Sequence, residues 1–118
     1  MLRVMPLVDQ LDEEFRQRGF AVEVVLIYKN PRCGRYYRIP DFAPCLVECI
    51  INRHSLRIYF RNALIDIKPT LVSEVRQLDK GEVKNLKNGP SYRYLVECDQ
   101  DLQTLMSFID RHVLPIEP

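Results

Sequence analysis

No apolar run in this sequence approaches the roughly 18 to 20 residues that a helix needs to cross a bilayer. The first residues, MLRVMPLVDQLDEEF, become acidic before the apolar region of a signal peptide could form. We therefore expect a protein that is neither exported nor embedded in a membrane. The four cysteines of such a chain are expected to be free thiols, as in the cytoplasm.

The sequence also lacks the short motifs that identify many enzymes. It contains no Gly-rich phosphate loop, no HExxH or GxSxG string and no EF-hand loop. No cysteine pair has the CxxC spacing of a zinc site. The nearest pair, Cys45 and Cys49, lies in a predicted strand that would hold the two sulfur atoms roughly 13 Å apart. The sequence thus predicts no metal and no cofactor, and it favours a binding protein over an enzyme.

The length and the composition are those of one globular domain. The chain has 118 residues, of which 47% are hydrophobic and 28% are charged. A disordered chain would combine fewer apolar residues with a higher net charge, and two domains would need a longer chain. We predict a single domain over residues 1–118.

Apolar residues at helical spacing predict a helix near each end of the chain. The first helix ends at Gly19, and the last is capped by Asp99 and ended by Pro115. A short helix between them starts after Thr70 and stops at Gly81. The apolar stripe of the first helix consists of Leu7, Leu11 and Phe15. The stripe of the last helix consists of Leu102, Leu105, Met106, Ile109 and Val113.

Alternating or continuous apolar runs predict the strands. Residues 21–29 are rich in β-branched residues and nearly continuously apolar, which predicts a central or well-covered strand. Residues 43–62 predict a β-hairpin, and residues 91–98 predict a further strand. Residues 30–42 and 80–90 are predicted as loops, with at most a short strand around residues 36–39.

The order of these elements predicts an α+β fold. We expect an antiparallel sheet of four or five strands, with the N- and C-terminal helices packed on one face. In the second arm of the hairpin, Leu56, Ile58 and Phe60 alternate with Arg57 and Tyr59. This alternation predicts that one face of the sheet is solvent-exposed and basic.

A basic and aromatic segment predicts a binding surface. Residues 29–61 hold seven Lys or Arg against two acidic residues. Tyrosine rings among cations bind single-stranded nucleic acid or another polyanion, and they also anchor protein interfaces. The predicted partner is therefore a protein, including a second copy of the chain, or a nucleic acid. The predicted surface consists of Tyr28, Lys29, Arg32, Arg35, Tyr36, Tyr37, Arg38, Arg57 and Tyr59.

The alternative function is a metal-dependent nuclease of the PD-(D/E)xK type. In this class two acids hold a divalent ion while a lysine assists the attack on phosphate. A Pro-Asp pair ending at Asp41, followed by Asp66 and Lys68, supplies the string. However, these nucleases place the two acids on adjacent strands of one hairpin, whereas a complete predicted hairpin separates Asp41 from Asp66 here.

Three segments of the sequence resemble a small bacterial domain of unknown function. They are VLIYKN (25–30), DFAPCLVECIINRHSLRIYF (41–60) and YLVECDQDLQTLMSFIDRHV (94–113). That domain is found alone or at the C-terminus of predicted nucleases and predicted transport proteins. The resemblance covers residues 20–113 and implies a fold more than a mechanism. The matching positions are Tyr28, Lys29, Phe42, Ala43, Leu56, Ile58, Leu102 and Met106.

Overall fold

The computed structural model describes residues 4–27 and 30–117, with side chains for residues 4–26 and 34–117. The helices are α1 (Met5–Gln17), α2 (Asn62–Ile67), α3 (Leu71–Gln77) and α4 (Asp99–Phe108), and α4 continues as a π-helical turn over Ile109–Val113. The strands are β1 (Ala21–Ile27), β2 (Asn30–Arg38), β3 (Val47–Ile51), β4 (Leu56–Phe60), β5 (Gly81–Leu86) and β6 (Gly89–Val96). In the described ranges, no helix combines the length and the apolar character that crossing a membrane requires.

The strands form a single antiparallel sheet in the order β1-β2-β3-β4-β6-β5. The predicted α+β class and the antiparallel arrangement are confirmed, and so is the hairpin of β3 and β4. The predicted number of four or five strands is wrong, because the sheet has six. The two segments predicted as loops supply the difference, since they form β2 and β5.

Strand β1 lies at the edge of the sheet, whereas the sequence predicts a central or well-covered strand there. β2 pairs with β1 from Ala21↔Arg38 to Ile27↔Asn30, with a register shift between Val25 and Ile27, and on its other side it pairs with β3. The β3 ladder begins only at Gly34, so Pro31 lies where β2 has a single neighbour. Proline is tolerated at such a one-sided position because its missing N–H breaks no second ladder.

Strand β5 forms the opposite edge of the sheet and pairs only with β6. Its sequence is polar because most of its side chains are exposed, which is why a loop is predicted there. The strand begins at Gly81 for a steric reason. A Cβ atom at Gly81 would lie 2.1 Å from the carbonyl oxygen of Val75 in α3, so only glycine allows this approach of helix and strand.

One face of the sheet and the helices enclose a single core. Every second side chain of β3 and β4 is buried, as the alternation in β4 predicts. The predicted stripes of both terminal helices are confirmed, except that Leu7 is only partly buried. The core side chains of the sheet are Tyr37, Val47, Cys49, Ile51, Leu56, Ile58, Phe60, Tyr92, Tyr94 and Val96.

The helix ends differ from the predicted caps. Gly19 has φ +88° after α1, which is the left-handed stop that the sequence predicts. Thr70 occupies the N-cap position of α3, as predicted, but its side chain makes no capping hydrogen bond. Asp99 does not cap α4, because it is already the first residue of that helix. Asp101 instead accepts a hydrogen bond of 2.9 Å from the backbone N–H of Glu97.

Two carboxylates connect α4 and its π-helical extension to other elements. Asp101 accepts hydrogen bonds from the Lys80 ammonium at 2.6 Å and from the Glu97 N–H, and although burial opposes them, these bonds lower the pKa of Asp101 below 3.8. Asp110 accepts two hydrogen bonds from the Arg18 guanidinium, at 2.7 and 2.9 Å, which lower its pKa below 3.8. Both carboxylates therefore bind protons less readily in the folded chain than in the unfolded chain.

We expect the protein to lose stability in acid. A carboxylate with a lowered pKa contributes stability that is present above its unfolded pKa, near 3.8, and that is lost as the pH falls through the folded value. Urea denaturation at a series of pH values from neutral to strongly acidic measures the effect. The Asp101→Asn variant should be less stable at neutral pH and should show a shallower loss in acid. An unchanged acid dependence in this variant would contradict the assignment.

Candidate functional site

The sheet face that points away from the helices carries charged and aromatic side chains that are half-buried or exposed. The register places Tyr36 opposite Glu48, Glu48 opposite Tyr59, and Tyr59 opposite Arg93, so these side chains form a row across four strands. We call this surface the open face. It is defined by Glu23, Tyr36, Arg38, Glu48, Arg57, Tyr59, Arg61, Glu82 and Arg93.

At one end of the row, two guanidinium groups lie near the ring of Tyr36. The Cζ atoms of Arg38 and Arg61 lie 5.3 and 5.9 Å from the centre of the Tyr36 ring. Both distances allow a cation–π attraction, which acts within about 6 Å. Arg38 also donates a hydrogen bond of 2.9 Å to Glu23, and Arg61 pairs with Glu48. The ring and both cations are therefore held in place by neighbouring side chains.

At the other end of the row, Arg93 pairs with Glu82 of β5, and Arg57 is exposed. No ion-pair partner of Arg57 is found within residues 4–26 and 34–117. Arg57 and Arg93 line a shallow depression of about 280 Å³. Tyr59, opposite Arg93, lines a second depression of about 250 Å³. The two depressions thus adjoin the Tyr59–Arg93 pair.

The structure places four of the predicted binding residues together on the open face: Tyr36, Arg38, Arg57 and Tyr59. It places Arg35 and Tyr37 on the opposite, helix-covered face, where both are buried. Tyr28 and Lys29 lie outside the described residues, and so does the side chain of Arg32. Alternation along β2 is the signal that separates Arg35 and Tyr37 from Tyr36 and Arg38.

Arg35 and Tyr37 belong to a buried polar network with Asp12 of α1. The Arg35 Nε donates to one carboxylate oxygen of Asp12 at 3.0 Å, and the Tyr37 hydroxyl donates to the other at 2.8 Å. All three residues are at most 7% exposed. Burial raises the pKa of the Tyr37 hydroxyl, which keeps it protonated as a donor. The network fixes α1 on the sheet and leaves neither polar side chain free to bind a partner.

Sequence reasoning missed five residues of the open face: Glu23, Glu48, Arg61, Glu82 and Arg93. Extending the alternation of Arg57 and Tyr59 by one step along β4 points to Arg61. Glu82 and Arg93 could be found only from the pairing of β5 with β6, because residues 80–90 read as a polar loop.

The three residues of the alternative nuclease do not lie on strands, where nucleases of the PD-(D/E)xK type carry their acids. Asp41 follows β2 in a turn with φ +63°, Asp66 lies in helix α2, and Lys68 follows that helix. Nuclease cores of this type carry both acids on strands, whereas neither acid lies on a strand here. Within the part of the chain that the structure describes, no three His, Cys, Asp or Glu side chains converge as a metal site would require.

Three described cysteines carry free thiols. Cys45 and Cys49 are buried, as expected for cysteines that pack as small apolar side chains, and Cys98 is exposed. Burial raises the pKa of both Cys45 and Cys49, so their thiols stay protonated. Protonated thiols are poor nucleophiles and poor metal ligands, so neither buried cysteine is a candidate catalytic group.

A polar groove of about 360 Å³ lies between α3 and α4. In this groove the His112 Nε2 lies 3.4 Å from a carboxylate oxygen of Glu74, and the ring of Phe108 contacts that of His112 with centroids 5.1 Å apart. The groove is on the helical side of the molecule. The open face on the other side contains four of the predicted binding residues, whereas none of them lines the groove.

These features define a class: a small α+β domain with one sheet face covered by helices and the other exposed. No protein-family model and no solved structure matches the chain. Among curated proteins, it is similar to the 3-isopropylmalate dehydratase small subunit of Ruminiclostridium cellulolyticum, with 31% identity over 101 residues. The match covers 73% of this chain and 61% of that protein, so the chain spans less than two thirds of the relative's length.

Proposed function

We propose that this protein is a binding module whose open face holds a protein partner. The observation that carries the proposal is the composition of the open face, where Tyr36, Tyr59 and Arg57 lie among half-buried neighbours. Tyrosine and arginine are enriched at the centres of protein interfaces, because each combines a large contact area with polar groups that fix the orientation of the partner.

The balance of charge on the open face favours a protein over a nucleic acid. Arg38, Arg61 and Arg93 each pair with a glutamate, namely Glu23, Glu48 and Glu82. A phosphate backbone would have to displace these carboxylates and would meet their negative charge. A protein surface can present acidic groups to the arginines and basic groups to the glutamates at the same time. Arg57, which has no ion-pair partner among the residues with described side chains, is the position at which an acidic side chain of the partner would bind.

The sequence similarity supports a narrower form of the same proposal. The relative is named as the small subunit of a dehydratase. We propose by analogy that this chain is an accessory subunit of a larger protein. A dehydratase large subunit is the first partner to test. Membership of the small bacterial domain that residues 20–113 resemble is a further prediction and is compatible with a binding role.

The Tyr59→Ala variant is expected to weaken binding by about 2 kcal/mol, or roughly thirtyfold, because it removes a ring from the centre of the row. Affinity capture with the wild-type chain, followed by mass spectrometry, identifies the partner. Titration of that purified partner by calorimetry then measures the change. Arg57→Ala is expected to act in the same direction, since the guanidinium is the free cation of the open face in the described residues.

The matched control is Arg76→Ala, which removes an exposed arginine from α3 on the helical side. It should leave the affinity unchanged, and circular dichroism should show that every variant is folded. Equal binding by the Tyr59→Ala, Arg57→Ala and Arg76→Ala variants would place the interface elsewhere and overturn the proposal.

A gel-shift titration with single- and double-stranded DNA at two salt concentrations tests the nucleic-acid reading. We expect no binding that weakens steeply with salt, since such a dependence marks release of counterions from phosphates. Magnesium-dependent cleavage that is lost in an Asp66→Ala variant would instead favour the alternative nuclease with Asp41, Asp66 and Lys68.

A further inference from the structure

The sheet has two edges, β1 and β5, and they differ in how they are protected. An edge strand presents a row of backbone N–H and C=O groups that can pair with another strand. Natural sheets block such pairing with charged side chains on the edge. β5 follows this rule, because Glu82 and Lys84 are both exposed and lie 3.6 Å apart.

β1 lacks this protection. Its sequence is AVEVVLI, and its one charged side chain, Glu23, is held by Arg38 of the neighbouring strand. Val24 and Leu26 are 60% and 67% exposed. They are two of the three large apolar side chains that are exposed among the residues with described side chains, and both belong to the same edge strand.

We propose that a second copy of this chain completes the β1 edge by antiparallel pairing of β1 with β1. The strand is complementary to itself. When Val24 lies opposite Val24 of the second copy, Val22 lies opposite Leu26 and Glu23 lies opposite Val25. No two like charges then face each other. Val22 and Val24 lie on the helix-covered side of the sheet, because they are paired with the buried Tyr37 and Arg35, and the sheet becomes continuous across both copies.

A second copy paired in this way would explain both the unpaired backbone groups of the β1 edge and its exposed apolar side chains. It satisfies the free backbone groups of the edge, and it covers Val24 and Leu26 in each copy. A two-fold axis brings the same strand to both sides of the contact, as in other isologous interfaces. Apart from Glu23 on β1 itself, the dimer leaves the open face accessible, because the contact runs along the β1 edge. The inference therefore stands apart from the proposed binding function.

Sedimentation equilibrium over a range of concentrations tests the proposal. We expect the wild-type chain to form a dimer and the Val24→Lys variant to be monomeric, because an ammonium group would lie opposite a second ammonium group across the axis. The matched control is Leu86→Lys, which places the same charge on the exposed apolar side chain of the other edge, where Leu86 is 55% exposed. That variant should dimerise like the wild type.

Hydrogen exchange identifies the strand that forms the interface. The amides of β1 should exchange more slowly as the protein concentration rises, while those of β5 should not change. A wild-type chain that is monomeric at every concentration, or a Val24→Lys variant that still dimerises, would overturn the proposal. The proposal would also be overturned if the wild-type chain stayed monomeric and its β1 amides exchanged slowly only when a peptide of a different sequence was added. The open-face partner should bind the Val24→Lys variant normally, so failure of either proposal is distinguishable from failure of the other.

Discussion

Replacing Asp12 with alanine is expected to lower the free energy of unfolding by about 3 to 5 kcal/mol, because it leaves the buried guanidinium of Arg35 without its partner. The same change removes the acceptor of the Tyr37 hydroxyl, which is completely buried. An unpaired buried charge and an unsatisfied buried donor both destabilise the folded state. Urea denaturation followed by circular dichroism measures the loss.

The control for this prediction is Asp9→Ala on the same helix. Asp9 is exposed, so its removal should change the stability by no more than about 0.5 kcal/mol. Both variants remove one aspartate from α1, and they differ only in what the carboxylate contacts. Similar stabilities for the two variants would show that the buried network does not contribute as described.

Replacing Phe15 with alanine is also expected to cost about 3 to 5 kcal/mol, since it opens a cavity in the centre of the core. Phe15 is completely buried. Its ring stacks on that of Tyr37 with centroids 4.0 Å apart and an angle of 12°, and it meets the edge of Phe20 at 5.0 Å. The loss would be measured by the same denaturation experiment.

Phe42→Ala provides a comparison for Phe15→Ala, because Phe42 is only partly buried at the border of the core. It should cost clearly less, since fewer neighbours lose contacts and water can fill the space. If both substitutions lowered the free energy of unfolding equally, the contacts of the buried Phe15, including its stacking on Tyr37, would contribute no more to stability than those of Phe42.

Sequence patterns predict those elements in which one face is apolar and the other polar. The alternation of Leu56, Ile58 and Phe60 with polar residues identifies β4 and its buried face, and the stripes at helical spacing identify α1 and α4. β2 and β5 escape such reasoning. In β2 the punctuation of Pro31 and Gly34 imitates a loop, and β5 is a polar edge that only pairing with β6 makes a strand.

The candidate site could be predicted only in part for a related reason. Composition points to the tyrosines and arginines of residues 29–61, but it does not separate the two faces of β2. Arg35 and Arg38 look equivalent as letters, yet Arg35 neutralises the buried Asp12 whereas Arg38 lies beside Tyr36 on the open face. The glutamates that balance the open face come from three different strands, and only the register brings them there.

The order of strands in the sheet has a consequence for how the chain folds. Within the described residues, four of the five strand pairings join strands that follow one another along the chain. Such hairpins close short loops, which cost little chain entropy and give a low contact order. Only the pairing of β4 with β6 encloses α2, α3 and β5. We expect that closure to set the folding rate, with a four-stranded N-terminal unit and a C-terminal hairpin forming before they join.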